Sequence, residues 1–148
     1  MFVDYRKRPE LDRWILSKYN RLIDDVTEEM NRYDHMKTVR KIQNFVVEDL
    51  SNWYIRRARR RFWAEELTED KKSVYATTYE ILVGVAQLMA PFAPFISDEI
   101  YTDLTGAESV HLSFFPKSDA DLIDEKVEER MDLVRDMVAL GRGIREKE

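Results

Sequence analysis

The sequence predicts an all-α protein, a helical bundle of about five helices with a short extended segment before the last helix. Apolar residues recur three or four positions apart through most of the chain, which is the period of a helix with one buried face. Only four glycines and four prolines interrupt 148 residues, and 36% of the residues are charged. A chain of this length can bury a substantial core, and it contains no linker rich in Gly, Pro or Ser. Residues 1–148 are therefore predicted to form a single domain.

The first two helices are predicted from the N-terminal half of the chain. Pro9 suits the first turn of a helix, where its missing N–H costs nothing, and the apolar spacing then continues to about residue 31. Asp34 is a candidate N-cap for a second helix, which is expected to reach about residue 62. The side chains expected to face the core are Leu11, Ile15, Leu22, Val26 and Met30 in the first helix, and Met36, Val39, Ile42, Val46, Leu50 and Trp53 in the second.

Three further helices are predicted in the C-terminal half. The polar stretch AEELTEDKK leads into a third helix that Pro91 ends, and a short fourth helix runs from Pro94 through Asp103 and ends near Gly106. The segment ESVHLSFFPKS lacks a helical period and is interpreted as extended or loop, and a fifth helix follows it. The apolar side chains assigned to the core here are Val74, Ile81, Leu82, Val85, Leu88, Met89, Leu122, Val127, Met131, Val134, Val138 and Ile144.

The composition excludes several classes of function. The net charge is −5, so the whole molecule is not a basic coat for nucleic acid, and the absence of cysteine rules out disulfides and thiolate metal sites. A chain without cysteine fits the reducing cytoplasm. No apolar run approaches the roughly 20 residues of a membrane span, and the N-terminus lacks the apolar region of a signal peptide. We therefore expect a cytoplasmic protein with no membrane partner.

Catalytic and metal-binding patterns are also missing. His35 and His111 are far apart in the sequence and have no neighbouring cluster of ligands. The acidic stretch DDVTEE is interpreted as a solvated helix face. No nucleophile has a base at a recognisable spacing, and no glycine-rich phosphate loop precedes a helix. No catalytic residue and no metal site is predicted.

One basic stretch, SNWYIRRARRRFW, stands out at the end of the second helix. On a helix, Ile55, Ala58 and Phe62 fall within about 60° of one another, so the arginines on the remaining surface are expected to face solvent together. Between Lys37 and Trp63 there are eight basic and two acidic residues, a local charge of +6 against −11 for the rest of the chain. A positive field focused on a negative background directs a polyanion to one place.

Two interpretations of the basic stretch remain open from the residues alone. Basic residues near the end of a helix also complement its dipole or form internal ion pairs. In the other interpretation they bind a polyanion, and the candidate binding residues are Arg56, Arg57, Arg59, Arg60, Arg61, Trp63, Lys37, Arg40 and Lys41. Trp53 lies in register with Val46 and Leu50 and is expected in the core, whereas Trp63 is free to stack on a base or to cap the bundle.

Four segments resemble, in the same order, parts of the helical anticodon-binding domain of isoleucyl-tRNA synthetases, which are class Ia aminoacyl-tRNA synthetases. The segments are LDRWILSKYNRLI, NFVVEDLSNWYIRRARRRFW, LMAPFAPFISDEIY and SVHLSFFP. The resemblance extends from about Arg8 to Glu148. LDRWIL and MAPFAPF are shared more widely among class Ia enzymes, and NWYIRRARRRFW is the specific part.

The resemblance implies that this chain is a piece of a longer isoleucine–tRNA ligase. Such an enzyme activates isoleucine with ATP and Mg²⁺ in a catalytic domain of the same chain and transfers it to tRNA. The motifs of that catalytic domain do not occur here, so neither catalysis nor a cofactor is expected of this chain itself. The resemblance also implies that one family helix before LDRWIL and a C-terminal region, both involved in tRNA recognition, lie outside residues 1–148.

Three functional hypotheses follow. In the first, the chain binds the anticodon stem-loop of tRNA, because arginine forks contact phosphates while base edges supply specificity. In the second, the chain is a helical protein–protein interaction module whose arginine-rich helix binds an acidic partner. In the third, a basic amphipathic helix binds a membrane surface, but the acidic remainder of the chain would be repelled by anionic lipid.

Overall fold

Five long helices make up the part of the chain that the computed structural model describes, residues 3–145. They are α1 (Glu10–Asn31), α2 (His35–Asn44, Phe45–Ile55 and Arg56–Phe62 in direct succession), α3 (Glu69–Met89), α4 (Pro94–Thr105) and α5 (Glu125–Arg145). No strand occurs in residues 3–145. The predicted all-α bundle of about five helices is confirmed; the ends of the predicted domain, residues 1–2 and 146–148, lie outside the described residues.

The residues predicted to begin and end helices do so, except that Pro9 lies one position before its helix. The Asp34 carboxylate accepts the backbone N–H of Lys37 at 3.0 Å and caps α2. Pro94 opens α4, and Gly106 ends it with a φ of 69°, the left-handed conformation that glycine adopts without strain. Pro9 is the N-cap of α1 and so stands just before the first turn rather than within it.

The middle of α2 is π-helical from Phe45 to Ile55, which the sequence pattern did not predict. Buried residues recur every four positions here, on two adjacent tracks: Phe45, Asp49 and Trp53, and Leu50, Tyr54 and Ala58. A spacing of four is longer than the 3.6 residues of an α-helical turn. The i→i+5 hydrogen bonds of a π-helix widen each turn. Residues four positions apart therefore stay on the same side of the helix and face the core.

The core lies where α1, α2 and α3 pack together, and α5 covers one side of α1. Its fully buried large side chains include Trp14, Ile15, Leu16, Val26, Ile42, Tyr54, Val74, Ile81, Leu88 and Val127. Three residues predicted for the core, Met36, Val134 and Ile144, are instead exposed. In α5 the reason is that Arg135, not Val134, turns towards α2, where it forms an ion pair with the nearly buried Asp49.

The segment between α4 and α5 is irregular rather than helical, as predicted, with two short 3-10 turns at Val110–Leu112 and Ala120–Leu122. Leu122 therefore lies in a turn before α5 and not within the helix. The Asp98 carboxylate holds the segment to α4 by accepting the Ser109 hydroxyl at 2.7 Å and the Val110 N–H at 2.8 Å. No helix in residues 3–145 has the length and apolarity to cross a membrane.

Candidate nucleic-acid interface

The arginine run occupies the last two turns of α2. Ala58 is buried and Ile55 and Phe62 are half-buried, so the predicted apolar side of these turns is confirmed. Four of the five arginines are exposed on the remaining surface, and within residues 3–145 none of the four forms an ion pair with a carboxylate: Arg56, Arg57, Arg59 and Arg60. Four guanidinium groups without a carboxylate partner in the described part of the chain make this the most concentrated positive surface on α2.

Arg61 differs from its four neighbours. Its guanidinium group donates to the Asp12 carboxylate, with Nη2 at 2.8 Å from Oδ2, and its Nε donates to Asp70 at 2.9 Å. The Asp12 carboxylate is fully buried and also accepts the hydroxyls of Tyr54 at 3.0 Å and Ser73 at 2.6 Å. Asp12 lies on α1, Tyr54 on α2 and Ser73 on α3, so this carboxylate joins three helices.

The expectation that all five arginines face solvent together is therefore wrong for Arg61, whose side chain is 16% exposed. The cause is its place on the flank of α2, from which the guanidinium group reaches Asp12. Burial lowers the pKa of Arg61, but the hydrogen bonds to Asp12 and Asp70 outweigh burial and hold the pKa above its ordinary value. Arg61 is thus a permanently charged link within the bundle.

Trp53 packs in the core, as its register predicts. The indole is 7% exposed, and its N–H points at the sulfur of Met131 on α5, with 3.2 Å between Nε1 and Sδ. The guanidinium carbon of Arg57 lies 3.6 Å from the centre of the indole ring. A cation this close to an aromatic face is held by cation–π attraction, so Trp53 fixes the direction of the Arg57 side chain.

Trp63 has the opposite environment. It follows the last residue of α2 and is 76% exposed, so it does not cap the bundle. The guanidinium carbon of Arg59 lies 5.2 Å from the centre of its ring. An exposed indole beside exposed arginines is available for stacking on a base.

The remaining basic candidates lie at the other end of α2. Lys37 pairs with Asp34 at 3.0 Å and Lys41 pairs with Glu29 at 3.2 Å, which leaves Arg40 exposed and without an ion pair in residues 3–145. The π-helical segment separates this group from the arginine run by roughly 20 Å, at about 1.5 Å per residue. The structure does not bring the two groups together, and two members of this group are partly neutralised.

Arg142 is a basic neighbour of the run that sequence reasoning missed. It is exposed near the end of α5. Burial, then repulsion from Arg142 and from Arg56, lowers the pKa of Arg57. Local spacing could not reveal this repulsion, because Arg57 and Arg142 are far apart in the chain and lie on different helices.

The sequence that forms this helical bundle matches a known class of domain. Residues 12–148 match the family model described as the anticodon-binding domain of tRNA ligase, and the chain belongs to this family. Similar proteins are the isoleucine–tRNA ligases of Porphyromonas gingivalis, Bacteroides thetaiotaomicron and Thermus thermophilus, which are 45%, 46% and 46% identical over 98%, 98% and 95% of this chain. The chain spans 13%, 13% and 14% of the length of these relatives. The resemblance to isoleucyl-tRNA synthetases is confirmed.

Proposed function

We propose that this chain is the tRNA-binding domain of an isoleucine–tRNA ligase and that the exposed arginines at the end of α2 hold the anticodon stem-loop by its backbone. The observation that carries the proposal is the set of four exposed arginines without carboxylate partners in residues 3–145, on a chain of net charge −5. The arginine guanidinium group matches the geometry of phosphate oxygens and stays charged at all physiological pH values. An RNA backbone is a polyanion that supplies such oxygens in series.

The surroundings of the candidate residues give them different proposed roles. Arg56, Arg57, Arg59 and Arg60 contact phosphates, and Trp63 stacks on a base. Lys37, Arg40 and Lys41 form a weaker second contact region, with Arg40 its main member. Arg61 supports the run from inside the bundle. Because phosphate contacts carry no sequence information, preference for isoleucine tRNA requires contacts to bases, which RNA exposes in single-stranded loops.

We propose no catalytic step for this chain itself. The proposed ligase activates isoleucine with ATP and Mg²⁺ in a catalytic domain on the same longer polypeptide, and this domain positions the tRNA for transfer. That reaction belongs to the cytoplasm, where proteins are synthesised. The family match and the names of the relatives support the proposal.

Binding to tRNA transcripts across a salt series tests the proposal. Each phosphate contact to RNA releases condensed counterions, so log K falls with log salt by roughly 0.7 to 0.9 per contact. Replacing Arg56, Arg57 and Arg60 together by Gln should weaken binding to isoleucine tRNA and to other tRNAs about equally. It should reduce the salt slope by roughly two to three units if all three contact phosphate.

A matched control removes the same charge from exposed positions outside α2, by replacing Lys7, Lys117 and Lys126 with Gln. This control variant should keep a slope close to that of the unmodified chain. If the arginine variant unfolds, as judged by circular dichroism, the run is structural and the proposal is wrong. If it folds and its salt slope is unchanged, the run serves another partner, and an acidic protein becomes the better candidate.

A further inference from the structure

We propose that Arg57 on α2 and Arg142 on α5 hold one phosphate group of the RNA backbone between them. This inference rests on the proposed function and deepens it, because it defines a phosphate site that spans two helices. The second helix contributes a residue that lies outside the arginine run.

Trp53 is the point at which the two helices approach each other. Arg57 follows it by one turn of α2 and lies 3.6 Å from its ring centre. From α5, Met131 contacts the indole nitrogen at 3.2 Å, and the guanidinium carbon of Arg135 lies 5.4 Å from the ring centre. Arg142 follows Arg135 by seven residues, which returns it to the same face of α5.

Helix α5 runs antiparallel to α1, since Glu128 contacts Ser17 and Arg130 contacts Glu10. Helix α2 also runs antiparallel to α1, since Lys41 contacts Glu29 and Tyr54 contacts Asp12. Because α2 and α5 therefore run in the same direction, Arg57 and Arg142 both lie beyond Trp53 towards the same end of the bundle.

Among the described residues, the positive charges at this place outnumber their carboxylate partners. Arg135 forms an ion pair with Asp49, but within residues 3–145 neither Arg57 nor Arg142 has a carboxylate partner. Two like charges held near each other destabilise the free protein, and stacking on Trp53 limits how far Arg57 can move away. A phosphodiester between them would accept hydrogen bonds from both guanidinium groups and remove the repulsion.

Replacing Arg142 with Gln in the 148-residue chain tests the site. We expect the affinity for an isoleucine tRNA transcript to fall several-fold, and the salt slope to fall by less than the roughly 0.7 to 0.9 of a whole phosphate contact, because Arg57 still holds the shared phosphate. The melting temperature of the free protein should stay the same or rise slightly, because a repulsion has been removed. Lys126 is exposed on the same helix, and Lys126→Gln is the matched control that should leave the slope unchanged.

A double-mutant cycle with Arg57→Gln tests whether the phosphate is shared. If both arginines hold one phosphate, the double variant should lose clearly less affinity than the product of the two single effects. Full additivity would show two separate phosphates and overturn the shared site. If Arg142→Gln behaves like Lys126→Gln while the triple change at Arg56, Arg57 and Arg60 lowers the slope, the two-helix site is wrong and the proposed function stands. If the unmodified chain shows no salt-dependent binding to tRNA, the proposed function itself fails.

Discussion

The guanidinium group of Arg61 and the buried carboxylate of Asp12 form an ion pair that joins the end of α2 to the start of α1, with 2.8 Å between Nη2 and Oδ2. The same carboxylate accepts a hydroxyl from α3, that of Ser73. Four arginines of the run therefore face solvent while the fifth fixes the helix end from which they project. The rigidity of the exposed arginines depends on a residue that is itself mostly hidden.

Replacing Asp12 with Asn should lower the free energy of unfolding by roughly 3 kcal/mol, because it leaves a largely buried guanidinium group without its buried charged partner. Asp70 offers a matched control, since it pairs with Arg61 at 2.9 Å but is half exposed. Asp70→Asn should cost about 0 to 1 kcal/mol, the range for an exposed ion pair. Urea unfolding of both variants checks the difference, and equal losses would contradict the assigned roles.

Gly84 should not tolerate a side chain. It is buried in α3, and a Cβ there would overlap the hydroxyl of Tyr19. Gly84→Ala should therefore destabilise the chain by about 1 to 3 kcal/mol, although alanine favours helix formation. Gly141 has open space around it, so Gly141→Ala should be neutral or slightly stabilising. Thermal melts check both, and Tyr19→Phe should restore part of the loss in the Gly84→Ala background.

Acid should weaken the attachment of the segment between α4 and α5. The Ser109 hydroxyl, and then the Val110 N–H, hold the pKa of Asp98 below its ordinary value of 3.8. A carboxyl whose folded pKa is depressed contributes stability that is fully present above its unfolded pKa and is lost as pH falls through its folded pKa. The contribution of Asp98 should thus be complete above about pH 5, begin to fall near pH 4 and be lost only when the pH passes below the folded pKa of Asp98.

The Asp98→Asn variant checks this assignment. It should unfold more easily at pH 7 and show a shallower loss of stability between pH 5 and pH 2 than the unmodified chain. Asp103 is exposed on the same helix, and Asp103→Asn should keep the steeper acid dependence. Urea midpoints measured across this pH range decide the matter; identical slopes for all three proteins would refute the role given to Asp98.

Trp63 should contribute to RNA binding but not to stability, because its indole is mostly in solvent. Trp63→Ala should leave the melting temperature unchanged and weaken binding to a tRNA transcript by about 1 to 3 kcal/mol, the range for a stacked base. Trp63→Phe should retain much of the binding, since an aromatic face remains. A Phe variant as weak as the Ala variant would exclude stacking.

The sequence was sufficient wherever the structure depends on local chemistry. The Asp34 cap, the start at Pro94, the end at Gly106 and the exposure of most of the arginine run all follow from side-chain types and helical spacing. The Asp12–Arg61 pair could not be predicted, because the acidic second residue of LDRWIL has no local feature that marks it as buried. Nor could spacing predict the exposure of Val134, because Arg135 turns towards the bundle to form an ion pair with Asp49, which is distant in the sequence.

The π-helical segment Phe45–Ile55 also has an evolutionary consequence. The segment has 11 residues with a spacing of four per turn, and ten residues at the 3.6 per turn of an α-helix complete nearly the same number of turns. Loss of one residue with a return to α-helical pitch would therefore leave Arg61 facing Asp12 and the other arginines facing solvent. Relatives could gain or lose one residue here without redirecting the basic motif, and gaps in alignments should be looked for there.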